Sequence, residues 1–278
     1  MELDAFIRAA IAEDLGTGDH TSQSTIPSTQ TGKAHLLVKE EGIISGLTIA
    51  TKIFNIIDPD INISFSAKDG DEVKPKQILF VVEGKVQSIL IAERLVLNCM
   101  QRMSGIATVA KKYVNAIEGT NAKILDTRKT TPLLRSLEKE AVRTGGAHNH
   151  RFGLYDMILI KDNHVDSAGG IRSALEKAKS YLAKNKLSIP IEIETRNLAE
   201  VKIAVESNIP NRIMFDNFNP ELIKEGLRMV NGKMETEASG GITLSNVRSY
   251  AETGVDYISI GALTHSVKSL DLSLKIIQ

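Results

Sequence analysis

Charged side chains follow two short apolar runs in the middle of this chain. The first run begins at Ile124 and ends in DTRK at 126–129, and the second, at 157–160, ends in KDNH at 161–164. Further cations and histidines lie between the two runs: Arg135, Lys139, Arg143, His148, His150 and Arg151. Parallel α/β proteins carry their catalytic groups at the carboxyl ends of strands. The pattern therefore predicts an active site that binds anions.

Other predicted strands also end in residues that can do chemistry. These residues are Glu194, Asp216 with Asn217, Glu237 with Ser239, and Ser259 with Gly261. In a parallel barrel the carboxyl ends of all strands lie at the same face, so we expect these residues to form a single site. Glu192 and Glu194 are two residues apart and point to the same side of their strand. The pair could bind Mg²⁺, stabilise a cation or pair with a buried lysine, and the sequence leaves these options open.

Glycine-containing segments follow the last two predicted strands, at 239–241 and at 261–262. Barrels commonly bind phosphate at these two loops through backbone N–H groups, and glycine allows the ligand to approach closely. We therefore expect a phosphate-binding site here.

The histidines and Lys161 each allow a second interpretation. His148, His150 and His164 lack a zinc-binding spacing with cysteine, and Arg151 would oppose a metal ion at the His-x-His pair. Hydrogen bonding to an anion is the preferred interpretation. Lys161, at a predicted strand end, could instead form a Schiff base as in barrel aldolases.

Strand and helix patterns alternate throughout the second half of the chain. We expect strands at 122–126, 157–161, 189–194, 213–215, 234–238 and 257–260, and helices at 167–184, 198–207, 220–230 and 244–253. Such alternation predicts a parallel sheet with right-handed crossovers. Because no dinucleotide-binding fingerprint accompanies it, we predict an incomplete (open) α/β barrel of about six to seven parallel strands.

The first part of the chain has the patterns of a small α/β sandwich. We expect helices at 2–15 and 48–57 and strands at 33–39, 61–66 and 77–83. Residues 86–118 are predicted to form two helices that break at Ser104 and Gly105, with Ser104 as the N-cap of the second. The apolar run 272–277 is predicted to return to the sandwich. The expected domains are 1–112, joined by 270–278, and 113–269.

Composition excludes several classes of protein. Lys plus Arg and Asp plus Glu both total 34 in 278 residues, so the net charge is zero, which argues against a nucleic-acid binder. Cys99 is the single cysteine and is expected to be a buried core thiol, so no disulfide framework is expected. The sequence shows neither a signal-peptide pattern nor an apolar run of membrane-spanning length. We expect a cytoplasmic protein.

A non-catalytic carrier is an alternative of another class. Residues 70–75, GDEVKP, resemble the turns of lipoyl-type domains. A carrier needs an exposed lysine at a hairpin tip, and none is expected here. The carrier hypothesis therefore ranks below the hypothesis of an enzyme.

Seven motifs, taken in order, resemble those of the quinolinate phosphoribosyltransferase family. They are EDLGxGDxT at 13–21, QxxSGIAT at 101–108, DTRKT at 126–130, NHRxGL at 149–154, KDNH at 161–164, SGGI at 239–242 and GALTHS at 261–266. The resemblance covers nearly the whole chain. It implies a small α/β sandwich followed by an incomplete α/β barrel, in a homodimer or a multiple of it. It also implies transfer of phosphoribosyl from phosphoribosyl pyrophosphate to quinolinate with Mg²⁺, which gives nicotinate mononucleotide, pyrophosphate and CO₂.

The resemblance also implies roles for individual residues. The implied substrate-binding residues are Arg94, reaching the neighbouring subunit's site, with Arg128, Lys129, His150, Arg151, Lys161, Ser239, Gly240, Gly241, Ser259 and Gly261. The implied catalytic residues are Lys129, Lys161, Glu194 and Asp216, and the last two are the implied Mg²⁺ ligands. A transferase for another pyridine or imidazole acid is a close variant. The number of cations favours a substrate with two carboxylates.

Two positions depart from the family pattern. The family usually has glycine where this chain has Leu133, and it tends to have a third glycine where this chain has Ala147. Neither change removes a charged group, so both bear on loop geometry more than on chemistry.

Overall fold

The computed structural model describes residues 2–277, and its internal contacts divide the chain into two units. The first unit comprises residues 1–111, 130–146 and 264–278, and the second comprises 112–129 and 147–263. This division groups 130–146 and 264–269 with the first unit, whereas the sequence placed them in the barrel domain. Among the described residues, no helix is long and apolar enough to cross a membrane.

The predicted helices and strands occur in the predicted order, apart from the pair expected at 86–118. The helices are α1 (Leu3–Leu15), α2 (His20–Thr25), α3 (Leu47–Ile57), α4 (Val86–Ala116), α5 (Arg135–Thr144), α6 (Asp162–Ala168), α7 (Ile171–Asn185), α8 (Leu198–Ser207), α9 (Pro220–Val230), α10 (Val247–Ala251) and α11 (Ala262–His265). The strands are β1 (Thr31–Val38), β2 (Gly42–Ile43), β3 (Asn62–Phe65), β4 (Glu72–Val73), β5 (Ile78–Lys85), β6 (Lys123–Leu125), β7 (Ile158–Ile160), β8 (Ile191–Thr195), β9 (Arg212–Asp216), β10 (Glu235–Ser239), β11 (Tyr257–Ser259) and β12 (Leu272–Ile277). To the predicted elements the structure adds α2, β2, β4, α5, α6 and α11.

The first unit contains a four-stranded antiparallel sheet in the order β12-β1-β5-β3. Alternate residues of β1, such as Ala34, Leu36 and Val38, are buried, as expected for a strand with one face on a core. Pairing of β12 with β1 confirms that the end of the chain returns to this unit.

The prediction of two helices between residues 86 and 118 is wrong, because α4 runs unbroken from Val86 to Ala116. Gly105 does not end a helix. A Cβ atom there would overlap the backbone carbonyl of Lys268, so glycine allows two chain segments to pack closely. Ser104 is not an N-cap. Its buried Oγ accepts a hydrogen bond from the N–H of Ser45 at 3.0 Å and donates to the carbonyl of the same residue at 3.2 Å.

The second unit contains a six-stranded sheet in the order β6-β11-β10-β9-β8-β7, in which every neighbouring pair is parallel. Helices connect successive strands from β7 to β11. Within residues 2–277, β6 and β7 occupy the two edges and do not pair with each other. The arrangement is that of an open α/β barrel, which confirms the predicted fold class.

The register of the sheet places side chains from neighbouring strands in rows. Glu192 of β8 is opposite Arg212 of β9, and Arg212 is opposite Glu235 of β10. Because side chains alternate along a strand, Glu194 and Asp216 point to the same side of the sheet as this row. Glu192 and Glu237 are fully buried, so this side of the sheet contains charged groups among apolar ones.

Candidate active site

Asp126 fixes the chain segment that carries His150 and Arg151. It follows β6 and is fully buried, and its carboxylate accepts hydrogen bonds from Asn149 Nδ2 at 2.6 Å and from the N–H of His150 at 2.8 Å. A parallel bridge between Leu125 and His148 continues the sheet beside this segment. The sequence indicated Asp126 as a strand-end acid, and the structure assigns it this local role.

Arg151 is a half-buried cation near a second cation. Burial lowers the pKa of Arg151, and the positive charge of Arg128 lowers it further. The Arg151 side chain donates to the carbonyl of Met157 at 3.2 Å. The negative charges of Glu192 and Asp156 partly offset the lowering of its pKa, and a further anion beside Arg151 would stabilise its charged form. The pair therefore has the electrostatics of a carboxylate-binding site.

Lys161 and Glu194 form an ion pair across the ends of β7 and β8. Lys161 Nζ lies 3.1 Å from Glu194 Oε2. Burial raises the pKa of Glu194, the charge of Lys161 opposes this effect, and Asp216 and Asp162 add to it. The predicted catalytic groups Lys161, Glu194 and Asp216 are thus close enough to interact.

The start of α6 orients Lys161. The N–H of Lys161 donates to His164 Nδ1 at 3.0 Å, and the N–H of His164 donates to the carbonyl of Lys161 at 2.8 Å. His164 therefore has a structural role in the KDNH motif.

His150 lies among charged residues of the barrel interior. Its Nε2 is 3.0 Å from Glu192 Oε2 and 3.3 Å from Glu237 Oε2. Arg212 Nη1 is 3.0 Å from Glu237 Oε2 and 4.0 Å from Glu192 Oε2. The sequence left open whether Glu192 binds Mg²⁺, stabilises a cation or pairs with a buried lysine, and in the structure its neighbours are His150 and the cation Arg212. Substrate binding by His150 stays a prediction.

The hydrogen bonds of His150 decide where its proton lies. Burial lowers the pKa of His150, but contacts with Glu192 and Glu237 outweigh burial and raise it to about 9. The N–H of Arg151, however, donates to Nδ1 at 2.7 Å and needs a lone pair there. A second ring proton would face this N–H, so we assign the proton to Nε2, which lies beside the two carboxylates.

This cluster has the ligand types of a metal site but already contains a cation. The ligand atoms of His150, Glu192 and Glu237 all lie within 4.8 Å of one another. Arg212 contacts both carboxylates and supplies positive charge, and a divalent ion beside it would be repelled. The arrangement is that of a buried ion-pair network. Arg212 is the residue of this network that the sequence analysis missed, although the period of two places it on the same side of β9 as Asp216.

Glycine at position 240 is required by its neighbours. Gly240 has a φ of +92°, and a Cβ atom there would overlap the side-chain amide of Asn217. The N–H of Asn217 donates to the carbonyl of Ser239 at 2.8 Å, which joins the ends of β9 and β10. Gly241 also has a positive φ, of +63°. At the end of the sheet the loop thus has two residues without side chains, which allows a phosphate to approach the backbone closely.

The remaining predicted residues differ in exposure. Lys129 is exposed, in the second unit, and Arg94 is exposed on α4. Ser259 is buried, and its hydroxyl hydrogen-bonds to Glu237. Gly261 immediately precedes α11 and is half-buried.

The backbone conformation at Leu133 explains why the family usually has glycine at this position. Its φ is +65°, which is the left-handed region that side chains disfavour, and the residue is 73% exposed. Ala147 has no such conformation and is buried, so a side chain is accommodated there.

Comparison with known proteins agrees with these motifs. Residues 19–104 match the family described as "Quinolinate phosphoribosyl transferase, N-terminal domain", and residues 106–275 match "Quinolinate phosphoribosyl transferase, C-terminal domain". "Quinolinate phosphoribosyltransferase [decarboxylating] 1b" of Nicotiana tabacum is 47% identical over 99% of this chain and 82% of its own length. The "Probable nicotinate-nucleotide pyrophosphorylase [carboxylating]" of Bacillus subtilis is 43% identical over 99% and 94%.

Solved structures give the same result for the fold. The crystal structure titled NadC from Streptococcus pyogenes has a TM-score of 0.94 and 35% identity, and the match covers 99% of this chain and 97% of that one. The nicotinate-nucleotide pyrophosphorylase from Francisella tularensis has a TM-score of 0.91 and 38% identity, over 99% and 96%.

Proposed function

This chain belongs to the quinolinate phosphoribosyltransferase family, and from that premise we propose how its own residues carry out the family's reaction. The enzyme transfers phosphoribosyl from phosphoribosyl pyrophosphate to quinolinate with decarboxylation, which gives nicotinate mononucleotide, pyrophosphate and CO₂ in the biosynthesis of NAD. Neither the aldolase nor the carrier alternative fits this membership.

The proposal for quinolinate binding rests on one observation, that the cation Arg128 lies close enough to Arg151 to affect it. The charge of Arg128 lowers the pKa of Arg151, so the charged form of Arg151 is better stabilised when an anion lies near it. Arginine pairs with carboxylate through two parallel hydrogen bonds, and quinolinate offers two carboxylates on adjacent ring carbons. Lys129 and His150 are proposed to assist at the same anion.

Phosphoribosyl transfer is proposed to occur beside Lys161, Glu194 and Asp216. The pyridine nitrogen attacks C1′ of the ribose, the C1′–O bond to pyrophosphate breaks, and positive charge develops on the ribose ring. Glu194 and Asp216 stabilise this charge, because carboxylates act strongly where water is excluded. Lys161 neutralises Glu194 before the substrate binds and is available to the departing anion.

The loops after β10 and β11 are proposed to hold the 5′-phosphate. Ser239, Gly240 and Gly241 follow β10, and Ser259 and Gly261 end or follow β11. The positive φ values of Gly240 and Gly241 expose backbone N–H groups, which suit phosphate oxygens.

Decarboxylation is the final step of the proposed mechanism. The bond between ring carbon C2 and its carboxylate breaks, CO₂ leaves, and the electron pair stays on C2 until a proton replaces it. The positive ring nitrogen stabilises that pair, so the protein chiefly orients the ring. Arg128 and Arg151 hold the two carboxylates of the substrate, and the carboxylate at C3 remains in the product.

Mg²⁺ is the proposed cofactor, with Glu194 and Asp216 as its ligands, directly or through water or substrate. The raised pKa of Glu194, caused by burial and by the negative charges of Asp216 and Asp162, indicates a place that a cation would stabilise. Carboxylate oxygens are the ligands that Mg²⁺ prefers. When bound, Mg²⁺ would neutralise the charge of the pyrophosphate.

A homodimer or larger homo-oligomer is the proposed assembly, with Arg94 reaching the partner's site. The exposure of Arg94 on α4 supports this proposal, because an exposed cation is available to another subunit. A cytoplasmic location is also proposed. It rests on the sequence alone, and the plant relatives include proteins named as mitochondrial or chloroplastic.

The purified protein with quinolinate, phosphoribosyl pyrophosphate and Mg²⁺ tests the reaction. We expect nicotinate mononucleotide and one CO₂ per turnover, measured by chromatography and by release from carboxyl-labelled quinolinate. Omission of Mg²⁺ is expected to abolish turnover. A folded protein that yields no nucleotide would contradict the proposed function.

A further inference from the structure

Arg212 contacts the two buried carboxylates of the six-stranded sheet, Glu192 and Glu237. It is the first residue of β9, and Asp216 is the last. Its guanidinium has three partners besides Glu192. Nη1 contacts Glu237 at 3.0 Å, Nε and Nη2 contact Glu235 at 3.2 and 3.0 Å, and the group stacks 4.0 Å above the ring of Tyr257. The orientation of Arg212 is therefore set from several sides.

One oxygen of Glu237 accepts a hydrogen bond from Arg212 and also contacts the imidazole of His150. Oε2 of Glu237 lies 3.0 Å from Arg212 Nη1 and 3.3 Å from His150 Nε2. Glu192 lies opposite Arg212 in the sheet and contacts His150 at 3.0 Å. Both carboxylates are fully buried, and a buried charge without a partner is strongly unfavourable. Without Arg212, these carboxylates would have to move or become protonated.

His150 connects the two carboxylates to Arg151. Its Nε2 faces the carboxylates, while its Nδ1 accepts the hydrogen bond of the Arg151 N–H at 2.7 Å. The imidazole is thus held on both sides and fixes the backbone from which the Arg151 side chain begins. Groups that orient a binding residue in this way determine how well it fits its ligand.

We propose that Arg212 is a positioning residue for the quinolinate site, which acts through Glu237, Glu192 and His150 on Arg151. It does not touch the substrate. The inference rests on the proposed function, because it assigns Arg151 to a quinolinate carboxylate. It predicts that disturbing Arg212 weakens binding of quinolinate more than binding of phosphoribosyl pyrophosphate, because Arg151 is held by the network through His150, whereas the proposed phosphate site contacts the network through Ser259 and Glu237.

Arg212→Lys is the first variant to measure. Lysine keeps the positive charge but lacks the planar fork that contacts Glu237 and Glu235 together. We expect the KM for quinolinate to rise about 3- to 10-fold, while the KM for phosphoribosyl pyrophosphate stays within about 2-fold. Arg248→Lys is the matched control, because Arg248 forms an exposed pair with Glu252 at 2.6 Å and is expected to leave both KM values unchanged. Unchanged KM values in folded Arg212→Lys would overturn the inference.

Tyr257→Leu tests the same contacts without leaving a buried charge. It removes the ring under Arg212 and the hydroxyl that donates to Glu235 at 3.0 Å. The expected result is a smaller rise in the KM for quinolinate, of about 2- to 5-fold. This variant decides the question if Arg212→Lys does not fold, and unchanged kinetics would then count against the inference.

A crystal structure of the variant protein separates this inference from the proposed function. If the unmodified enzyme does not use quinolinate, the proposed function fails, but the positioning contacts can still be examined. In Arg212→Lys, or in Tyr257→Leu, we expect His150 to shift away from Glu237 and Arg151 to take a new orientation. An unchanged arrangement of His150 and Arg151 would overturn the inference.

Discussion

Burial opposes ionisation at Arg151 and at Glu194, although the two residues carry opposite charges. Burial lowers the pKa of Arg151, and Arg128 lowers it further. Burial raises the pKa of Glu194, and Asp216 adds to this effect. Each group is therefore better stabilised once a ligand of opposite charge arrives. At the scale of residues, the site stores unfavourable electrostatic free energy that anionic substrates and a cation would relieve.

Leu133→Gly is expected to stabilise the protein. Leu133 has a φ of +65° and is largely exposed, so glycine relieves backbone strain with little loss of packing. The left-handed conformation costs a side-chain-bearing residue about 1–2 kcal/mol, and the greater freedom of unfolded glycine offsets part of the gain, which leaves about 0.5–1 kcal/mol. Thermal unfolding measures the change.

The neighbouring residue provides the control for this experiment. Leu134 has a φ of −93° and immediately precedes α5. Glycine relieves no strain there, so Leu134→Gly is expected to destabilise the protein. A destabilised Leu133→Gly variant would contradict the strain explanation.

At the scale of elements, α4 shows why local signals can mislead. The sequence contains Ser104 and Gly105, residues that often mark the end of one helix and the start of another. In the structure both lie inside one helix, where Ser104 contacts Ser45 and Gly105 lies against Lys268. The reason for each residue is a contact with a segment distant in sequence, which a local pattern does not contain.

Gly105→Ala tests whether close packing explains the glycine. Alanine favours a helix by about 1 kcal/mol over glycine, so an open position would be stabilised. At Gly105 the new Cβ overlaps the Lys268 carbonyl and lies 3.2 Å from Ser269 Cα, both of which are backbone atoms. We therefore expect a net loss of about 1–3 kcal/mol in the free energy of unfolding by urea. Lys112→Ala, at an exposed position of α4, should change it little. Stabilisation by Gly105→Ala would refute close packing.

The strands were predictable where apolar runs end in polar residues. Helices α8 and α9 begin and end where the sequence predicted, since Asn197 and Asn219 cap them and their C-caps are asparagines in the left-handed conformation. Helix α10 is shorter than predicted, at Val247–Ala251. Arg212 could not be assigned to its network from the sequence, because its partners Glu237 and His150 come from other parts of the chain.

At the scale of the whole molecule, the resemblance in sequence carried information that patterns did not. Alternating elements predicted the parallel sheet of the second unit, and strand ends predicted that Lys161, Glu194 and Asp216 lie together, as their interactions indicate. The roles of Arg94 and Lys129 came only from family resemblance. Both side chains are exposed. Most exposed cations are simply solvated, so exposure alone does not indicate a function.

Mixing two inactive variants tests whether Arg94 serves a partner's site. Arg94→Ala and Lys161→Ala damage different parts of each site if Arg94 acts across subunits. A mixed dimer then contains one intact site. Random assembly makes half of the dimers mixed, so about a quarter of the normal activity is expected after refolding the two together. The same proteins assayed separately are the control. No recovery in dimers shown to be mixed would contradict a role for Arg94 in the partner's site.

The preference for quinolinate over nicotinate tests the central claim, that paired cations recognise a dicarboxylate. Nicotinate lacks the carboxylate at C2 and would give the same nucleotide without CO₂. A site whose cations pair with two carboxylates discriminates against a ligand that has only one, so we expect kcat/KM for quinolinate to exceed that for nicotinate by at least about 1,000-fold. Equal values of kcat/KM for the two acids would contradict this account of the site.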